Sequence, residues 1–326
     1  MHRCVIRLAA AGLLAGASTA TLAQNVSVYG LFDLSVGRTQ EPGQQATRGV
    51  DSGKMTTSHV GLRGTEDLGD GWKAQFALET FMCADTGAAG RFNADTFWSR
   101  NAYVGLDGRY GTLLAGRVTT GLFVQTLAYN AFGDAFGFSP SIRHWFTGGT
   151  TTGDTGWSDS LRYTTPRVSG LQGMLQVALG EGNGGRNLAG SMQYAQGPLA
   201  AGLAWPQVEK GATVGDTTAW QLAGSYDLKV VKLMGQYGEI EQDNVASGNR
   251  WRVTGIGLTA PVGPLGLVRA QWGQLDPRTG AKRQTLTVGY SYFLSKRSEA
   301  YGVWMNDRLD RTGTGTSYSV GLRHRF

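Results

Sequence analysis

The chain has 326 residues and a net charge of +6; 17% of its residues are charged and 50 are glycine. A mean hydropathy of −0.21 excludes a bundle of membrane-spanning helices. The mild charge argues against the concentrated basic face of a nucleic-acid binder, and two cysteines are too few for a disulfide scaffold.

The N-terminus reads as a secretory leader. "MHRCVIR" supplies a basic start, "LAAAGLLAGA" a short apolar run, and "STATLA" small residues before a cut. Cleavage is expected after Ala23, with Ala20 as the alternative; the run is shorter than the roughly 20 residues a spanning helix needs, which disfavours a membrane anchor. Loss of residues 1–23 removes Arg3 and Arg7 and no acid, which lowers the net charge from +6 to +4. It also leaves Cys83 as the one thiol, so no internal disulfide can form. Residues 24–326 are expected to form one domain.

No apolar run of spanning length follows, and helical periodicity is scarce. Short alternating segments recur instead. In chain order they lie near 25–38, 54–66, 72–82, 97–106, 112–118, 158–166, 172–180 and 188–196. They continue near 198–208, 217–227, 230–240, 250–261, 264–275, 283–293, 298–308 and 317–326. In "NVSVYGLFDLSVGR", Val28, Phe32, Leu34 and Val36 share one face, opposite Ser27, Tyr29, Asp33 and Ser35. In the last segment, Tyr318, Val320, Leu322 and Phe326 oppose Ser317, Ser319, Gly321, Arg323 and Arg325. Segment 250–261 switches parity near Gly255, where a bulge is expected.

Short connections such as "DLGDG", "DGRYG" and "SKR" alternate with long polar ones such as "TQEPGQQATRGVDSGKM". In hydrocarbon every backbone N–H and C=O must be paired inside the protein, so only helices and closed sheets can span it. About sixteen strands, each apolar on one face and polar on the other, predict an all-β, 16-stranded antiparallel transmembrane β-barrel. Trp72, Tyr110, Tyr292, Phe293, Tyr301 and Phe326 are expected in interfacial girdles. A soluble secreted β-protein also alternates, but it would need a second sheet over its apolar faces and would not explain a charged inner parity on nearly every strand.

"VGLRGTEDLGDGWKAQFALE", "RNAYVGLDGRYGTLLAGR" and "SVGLRHRF" resemble the general porins of Gram-negative outer membranes, most closely the beta-proteobacterial porins, and the resemblance runs across the mature chain. It implies a homotrimer of barrels, each with its third long loop folded into the pore. It also implies contact with outer-membrane lipid and lipopolysaccharide, delivery by periplasmic chaperones, and reading of the terminal Phe326 by the barrel-assembly machinery. The longest stretch without strand period, roughly 118–157, fits that loop; Phe123, Tyr129, Phe132, Phe136, Phe138, Trp145 and Phe146 give it something to pack with.

The family sets acids on this loop against a basic ladder on the wall. Here Asp134 is the loop candidate, with Asp154 near its end. Arg100 precedes "AYVGL" where the family has a pore arginine, and Arg162 in "SLRYTTP" is a second wall candidate. His59 stands where the family usually has arginine, which weakens the ladder at neutral pH; Arg63 shares its parity. Arg143 and His144 would add positive charge near the constriction. Each has a plainer alternative: a solvated vestibule arginine for Arg63 or Arg143, a turn cap for Asp134.

"GEGNGG" matches a dinucleotide-binding pattern only by letter, since no βαβ unit surrounds it. Ser141, His144 and Asp134 could form a nucleophilic triad, but no G-x-S-x-G surrounds Ser141. No cysteine and histidine spacing suits zinc, and no cofactor is expected.

The preferred function is a water-filled channel for passive diffusion of small ions and solutes, not an enzyme, with mild anion preference from its wall arginines. The alternatives are a substrate-specific channel aided by the loop aromatics, and a barrel enzyme or adhesin acting through its loops. A His59 in the constriction predicts that anion preference rises as pH falls below about 6; a pH-independent reversal potential would exclude it.

Overall fold

A computed structural model describes residues 25–151, 154–182, 185–209, 216–242 and 249–326. The expected leader, residues 1–23, lies outside them. The strands are β1 (Asn25–Thr39), β2 (Thr47–Ser52), β3 (His59–Gly69), β4 (Trp72–Cys83), β5 (Ala88–Ala89), β6 (Asn101–Gly108), β7 (Gly111–Thr119), β8 (Gly156–Thr164) and β9 (Leu171–Ala178). They continue as β10 (Asn187–Gln196), β11 (Leu199–Val208), β12 (Thr217–Asp227), β13 (Lys232–Gln242), β14 (Arg250–Val262), β15 (Gly266–Pro277), β16 (Arg283–Phe293), β17 (Ser298–Leu309) and β18 (Gly313–Arg325).

Sixteen of these form a closed antiparallel wall in which each strand pairs with the next, and β18 returns to β1. The other two are short: β2 extends the wall beside the upper half of β1, and β5 pairs with the end of β4. Period-two alternation sorts the faces. On β9, Leu175 is 64% exposed and its neighbour Gln176 is 1% exposed. Val28, Met192, Ile256 and Val320 likewise point outward, whereas Gln221, Gln236 and Thr287 face inward. Such a continuous apolar exterior suits a lipid surround.

Tight turns join the strands at one end. In "DLGDG", Gly69, Asp70 and Gly71 all take positive φ, which only glycine, and asparagine or aspartate at lower frequency, adopts readily. Closure is completed past β18. The backbone of Phe326 exchanges two hydrogen bonds with Gly30, at 3.2 and 3.3 Å. Its ring lies over Gly30, where a Cβ would come within 2.5 Å of it, and stacks on Phe32 at 5.5 Å between centroids.

Strand β3 begins at His59, later than the expected 54. Asp33, fully buried on β1, accepts hydrogen bonds from the backbone N–H groups of Met55 and Thr56 at 2.7 and 2.8 Å and pulls that stretch out of the wall. Tyr301 completes this site by donating its hydroxyl to Asp33 at 2.6 Å. Tyr301 is therefore an inward residue, not a member of an interfacial girdle; it shares the parity of Glu299 and Asp307. Trp72 and Tyr110, by contrast, sit on the exposed exterior with ring centroids 6.4 Å apart.

The segment between β7 and β8 holds α1 (Gly121–Ala128), capped by Thr120, and α2 (Pro140–Ile142), capped by Ser139, which runs into a wider helical turn at Arg143–Thr147. It rests against the inner wall. Leu122 and Trp145 pack on Ala204, Ala219, Ile240, Trp251, Val253 and Leu275. Phe132 and Phe138 pack with Met55, Met234, Val303 and Met305. Polar side chains of the wall fix the backbone: Gln236 donates to the carbonyl of Tyr129 at 2.9 Å and Thr287 to that of Phe138 at 2.8 Å.

This packing explains the parity of segment 250–261. There is no bulge; β14 keeps an unbroken register with both neighbours. Trp251 and Val253 are apolar yet face inward because Trp145 covers them, and outward parity resumes at Ile256. Trp145→Ala should remove about 3–5 kcal/mol of docking while leaving the wall strands untouched. Single-channel recordings should then show a noisier, less restricted conductance from a barrel that still resists detergent unfolding; unchanged traces would refute this account of the docking.

Candidate pore constriction

Wall strands β3, β4 and β6 bring one basic cluster together. Arg100, just before β6, forms an ion pair with Glu79 of β4. Glu79 also accepts from Asn101 and, at 2.5 Å, from the hydroxyl of Tyr29. The Arg63 guanidinium lies over the Tyr29 ring, 4.6 Å from its centroid. His59 is buried beside them, with Nδ1 3.0 Å from the carbonyl oxygen of Thr57. Tyr29, His59, Arg63, Glu79 and Arg100 line a hollow of about 650 Å³.

Arg162 on β8 stands apart from that hollow. It donates to the carbonyl of Thr119 at 3.0 Å and lines a smaller hollow of about 170 Å³ together with Gly121, Thr164 and Gln172. Among the described residues, neither Arg63 nor Arg162 forms an ion pair with a carboxylate.

The loop charges are differently placed. Asp134 accepts from Thr56 at 2.8 Å, and the same Thr56 hydroxyl accepts from Arg323 at 2.7 Å; Arg323 pairs with Glu299 at 2.5 Å. Asp134 thus joins a network on the wall. Asp154 accepts from Arg91 at 2.8 and 2.9 Å and pairs with Arg117. Burial opposes its ionisation, but the hydrogen bonds and charge of Arg91 prevail and hold the carboxyl below the usual range.

Arg143 and His144 do not add free positive charge. Arg143 is buried and donates to Glu41 at 2.6 and 2.8 Å and to Asp307 at 3.0 Å, and Arg283 shares both acids. His144 is buried against Thr285, 3.0 Å from Nε2. Burial, aided by the charges of Arg283 and Arg143 and opposed by Asp307, pushes its imidazole down to about 3, so it is neutral at physiological pH. The triad of Ser141, His144 and Asp134 is not assembled: Ser141 accepts from Gln271 at 2.6 Å, and the other two bind elsewhere. The loop aromatics are occupied too. Phe132, Phe138 and Trp145 are buried on the wall, and Phe123 packs on Phe136 and Phe146 with centroids 5.9 and 5.2 Å away.

Sequence reasoning passed over Glu79 and Tyr29. Both were accessible through parity, since Glu79 alternates with the outward Leu78 and Tyr29 with Val28. The group of Glu41, Arg143, Arg283 and Asp307 has no such signal, because its members come from four distant stretches of chain.

Residues 8–312 match the family model described as Gram-negative porin. The chain is 31% identical over 318 residues to outer membrane porin protein 32 of Delftia acidovorans, covering 93% of this chain and 88% of that one. It is 28% identical to an outer membrane porin protein of Bordetella pertussis, over 98% and 99% of the two chains. The solved anion-selective porin from Comamonas acidovorans superposes with a TM-score of 0.80 at 27% identity, covering 93% of this chain and all of that one.

His144 makes loop docking acid-sensitive. Its docked pKa lies below the ordinary value of about 6.5, so the undocked state binds more protons between that value and about 3. Docking should weaken as pH falls through this window, by about 1.4 kcal/mol per unit at most. Channel closures and noise should therefore increase from pH 7 to pH 4 in the wild type and increase less in His144→Gln; identical pH profiles would refute the assignment.

Proposed function

The chain belongs to the Gram-negative porin family, and from that premise we propose an anion-preferring diffusion pore that works as a homotrimer, with its selectivity set by Arg63 and Arg162. The barrel lies in the outer membrane of a Gram-negative bacterium, and small hydrophilic solutes cross it passively through a water-filled lumen. Family and fold point to a channel rather than an enzyme.

The carrying observation is the unequal pairing of charge. Glu79 offsets Arg100, and the loop charges Arg143 and Asp154 are bound to opposite partners. Arg63 and Arg162 have no carboxylate partner among the described residues. Two uncompensated cations beside a narrow, low-dielectric-walled aqueous path raise the local concentration of anions and repel cations. The loop segment restricts the bore by its bulk, which sets a size limit without a dedicated binding site. The likeness to the anion-selective porin from Comamonas acidovorans supports the same sign. Under this reading the leader at 1–23 directs export, and Phe326 is the feature that the barrel-assembly machinery reads.

Planar-bilayer reversal potentials in a KCl gradient test the proposal. A unit charge about 6 Å from a permeating ion in water is worth ~0.7 kcal/mol, favourable for chloride and unfavourable for potassium, so Arg63→Ala and Arg162→Ala should each lower the chloride-to-potassium permeability ratio about tenfold. Homotrimeric assembly should appear as insertion in three equal conductance steps. Cation preference in the wild type at neutral pH would defeat the reading.

A further inference from the structure

The hollow beside Arg63 offers the lumen more than one charge. α1 packs on β10, β11 and β12 and α2 on β15 and β16, so the wall at β3, β4 and β6 lies on another arc of the bore. Register sorts that wall into rows. Arg63 lies between Ser27 and Ala77, and Ala77 lies beside Tyr103. One row towards the short turns, Thr65 lies beside Gln75. Ala77 is short, so Arg63 and Tyr103 stand apart around an open floor. At about 3.3 Å per residue, the two rows are about 7 Å apart.

Acids bound the hollow at both ends. Glu79 lies in the row above, shared by Arg100, Asn101 and Tyr29. In the row below Gln75, Asp67 and Asp107 flank Lys73. Between these acids Arg63 has no carboxylate partner among the described residues, and its guanidinium lies over the Tyr29 ring. The side chains of Ser27, Thr65, Gln75 and Tyr103 line the hollow and make no hydrogen bond to the rest of the described protein. Hydroxyls and a carboxamide both donate and accept, as an alcohol does. A bare alkyl chain gains nothing from them. A second carboxylate would be driven towards Glu79 or the two aspartates.

We propose that this hollow is a weak station for polyhydroxylated monocarboxylates, the sugar acids, with the carboxylate on Arg63 and the hydroxyl-bearing chain lying over Ala77 towards Thr65 and Gln75. A guanidinium fork suits the carboxylate, and the spacing of the rows suits a chain of six carbons. The inference rests on the reading of the chain as an anion-preferring pore and names a solute class that such a pore favours. The station lies beside the path, so other small solutes still pass.

Interruption of the chloride current through single channels tests it with four six-carbon probes: gluconate, hexanoate, adipate and sorbitol. Gluconate should half-saturate at a concentration at least tenfold below those of the other three. Thr65→Val with Gln75→Leu keeps similar bulk and removes hydrogen-bonding groups. It should raise the gluconate value about tenfold, the loss expected for two hydrogen bonds, and leave the hexanoate value unchanged. Tyr103→Phe, which removes a single hydroxyl, should raise the gluconate value about threefold. Arg63→Ala should weaken gluconate and hexanoate alike. Equal interruption by hexanoate would overturn the station in favour of a plain charge contact. Equal interruption by adipate would overturn the exclusion of a second charge, and equal interruption by sorbitol the role of Arg63. Unchanged gluconate affinity in both the Thr65/Gln75 and Tyr103 variants would move binding elsewhere and overturn the site. Wild-type reversal potentials in the same membranes keep the two readings apart. Cation preference defeats the anion-preferring pore, whereas anion preference without selection of gluconate defeats the station alone.

Discussion

Hydrocarbon offers no partner for a peptide N–H or C=O, and the architecture follows from that one constraint. An open sheet would expose a row of unpaired groups along each edge. Here β18 pairs with β1, and the last residue completes the ladder through Gly30. A glycine there lets the Phe326 ring lie flat over the seam and meet Phe32, so the closing joint is covered on its lipid side. Once the cylinder is closed, period-two alternation makes one surface apolar and the other polar without any further instruction.

A closed cylinder leaves a lumen that must be either wet or filled, and this protein does both. The segment from Thr120 to Thr155 carries apolar side chains that need a dry surface, and the inner wall provides one at Ile240, Trp251, Val253 and Leu275. Glutamines and threonines beside that surface take up the segment's backbone carbonyls, so burying its backbone leaves those groups hydrogen-bonded. The ion-paired group of Glu41, Arg143, Arg283 and Asp307 ties the first long connection, the inward segment and the wall together. Because the partners are shared, these charges act as fasteners and are not presented to passing ions.

What remains electrically visible in the lumen is what pairing leaves over. Glu79 serves Arg100, Tyr29 and Asn101 at once, which holds the wall side chains in place and mutes one cation. Arg63 and Arg162 keep their charge, one over a tyrosine ring and the other against a carbonyl. Selectivity in such a pore is a difference between many compensated charges and a few uncompensated ones. Composition, with its small net excess of base, does not say which of those charges stay uncompensated.

The sequence by itself determined the strands, their number, the lipid-facing parity and the closure of the sheet into a barrel. All of these depend on relations between residues one or two apart, or on the rule that unpaired edges cannot enter lipid. It also placed Arg63, Arg100 and Arg162 on the wall, through parity and motif. The tertiary structure decided which charges are free. Arg143 meets Glu41 and Asp307 across 102 and 164 residues of chain, and Tyr301 meets Asp33 across 268. No local period encodes such partners. The same holds for Trp251 and Val253, whose inward apolar faces looked like a register fault until Trp145 was seen to cover them. Alternation states which side of the wall a residue takes; only the folded lumen states what waits for it there.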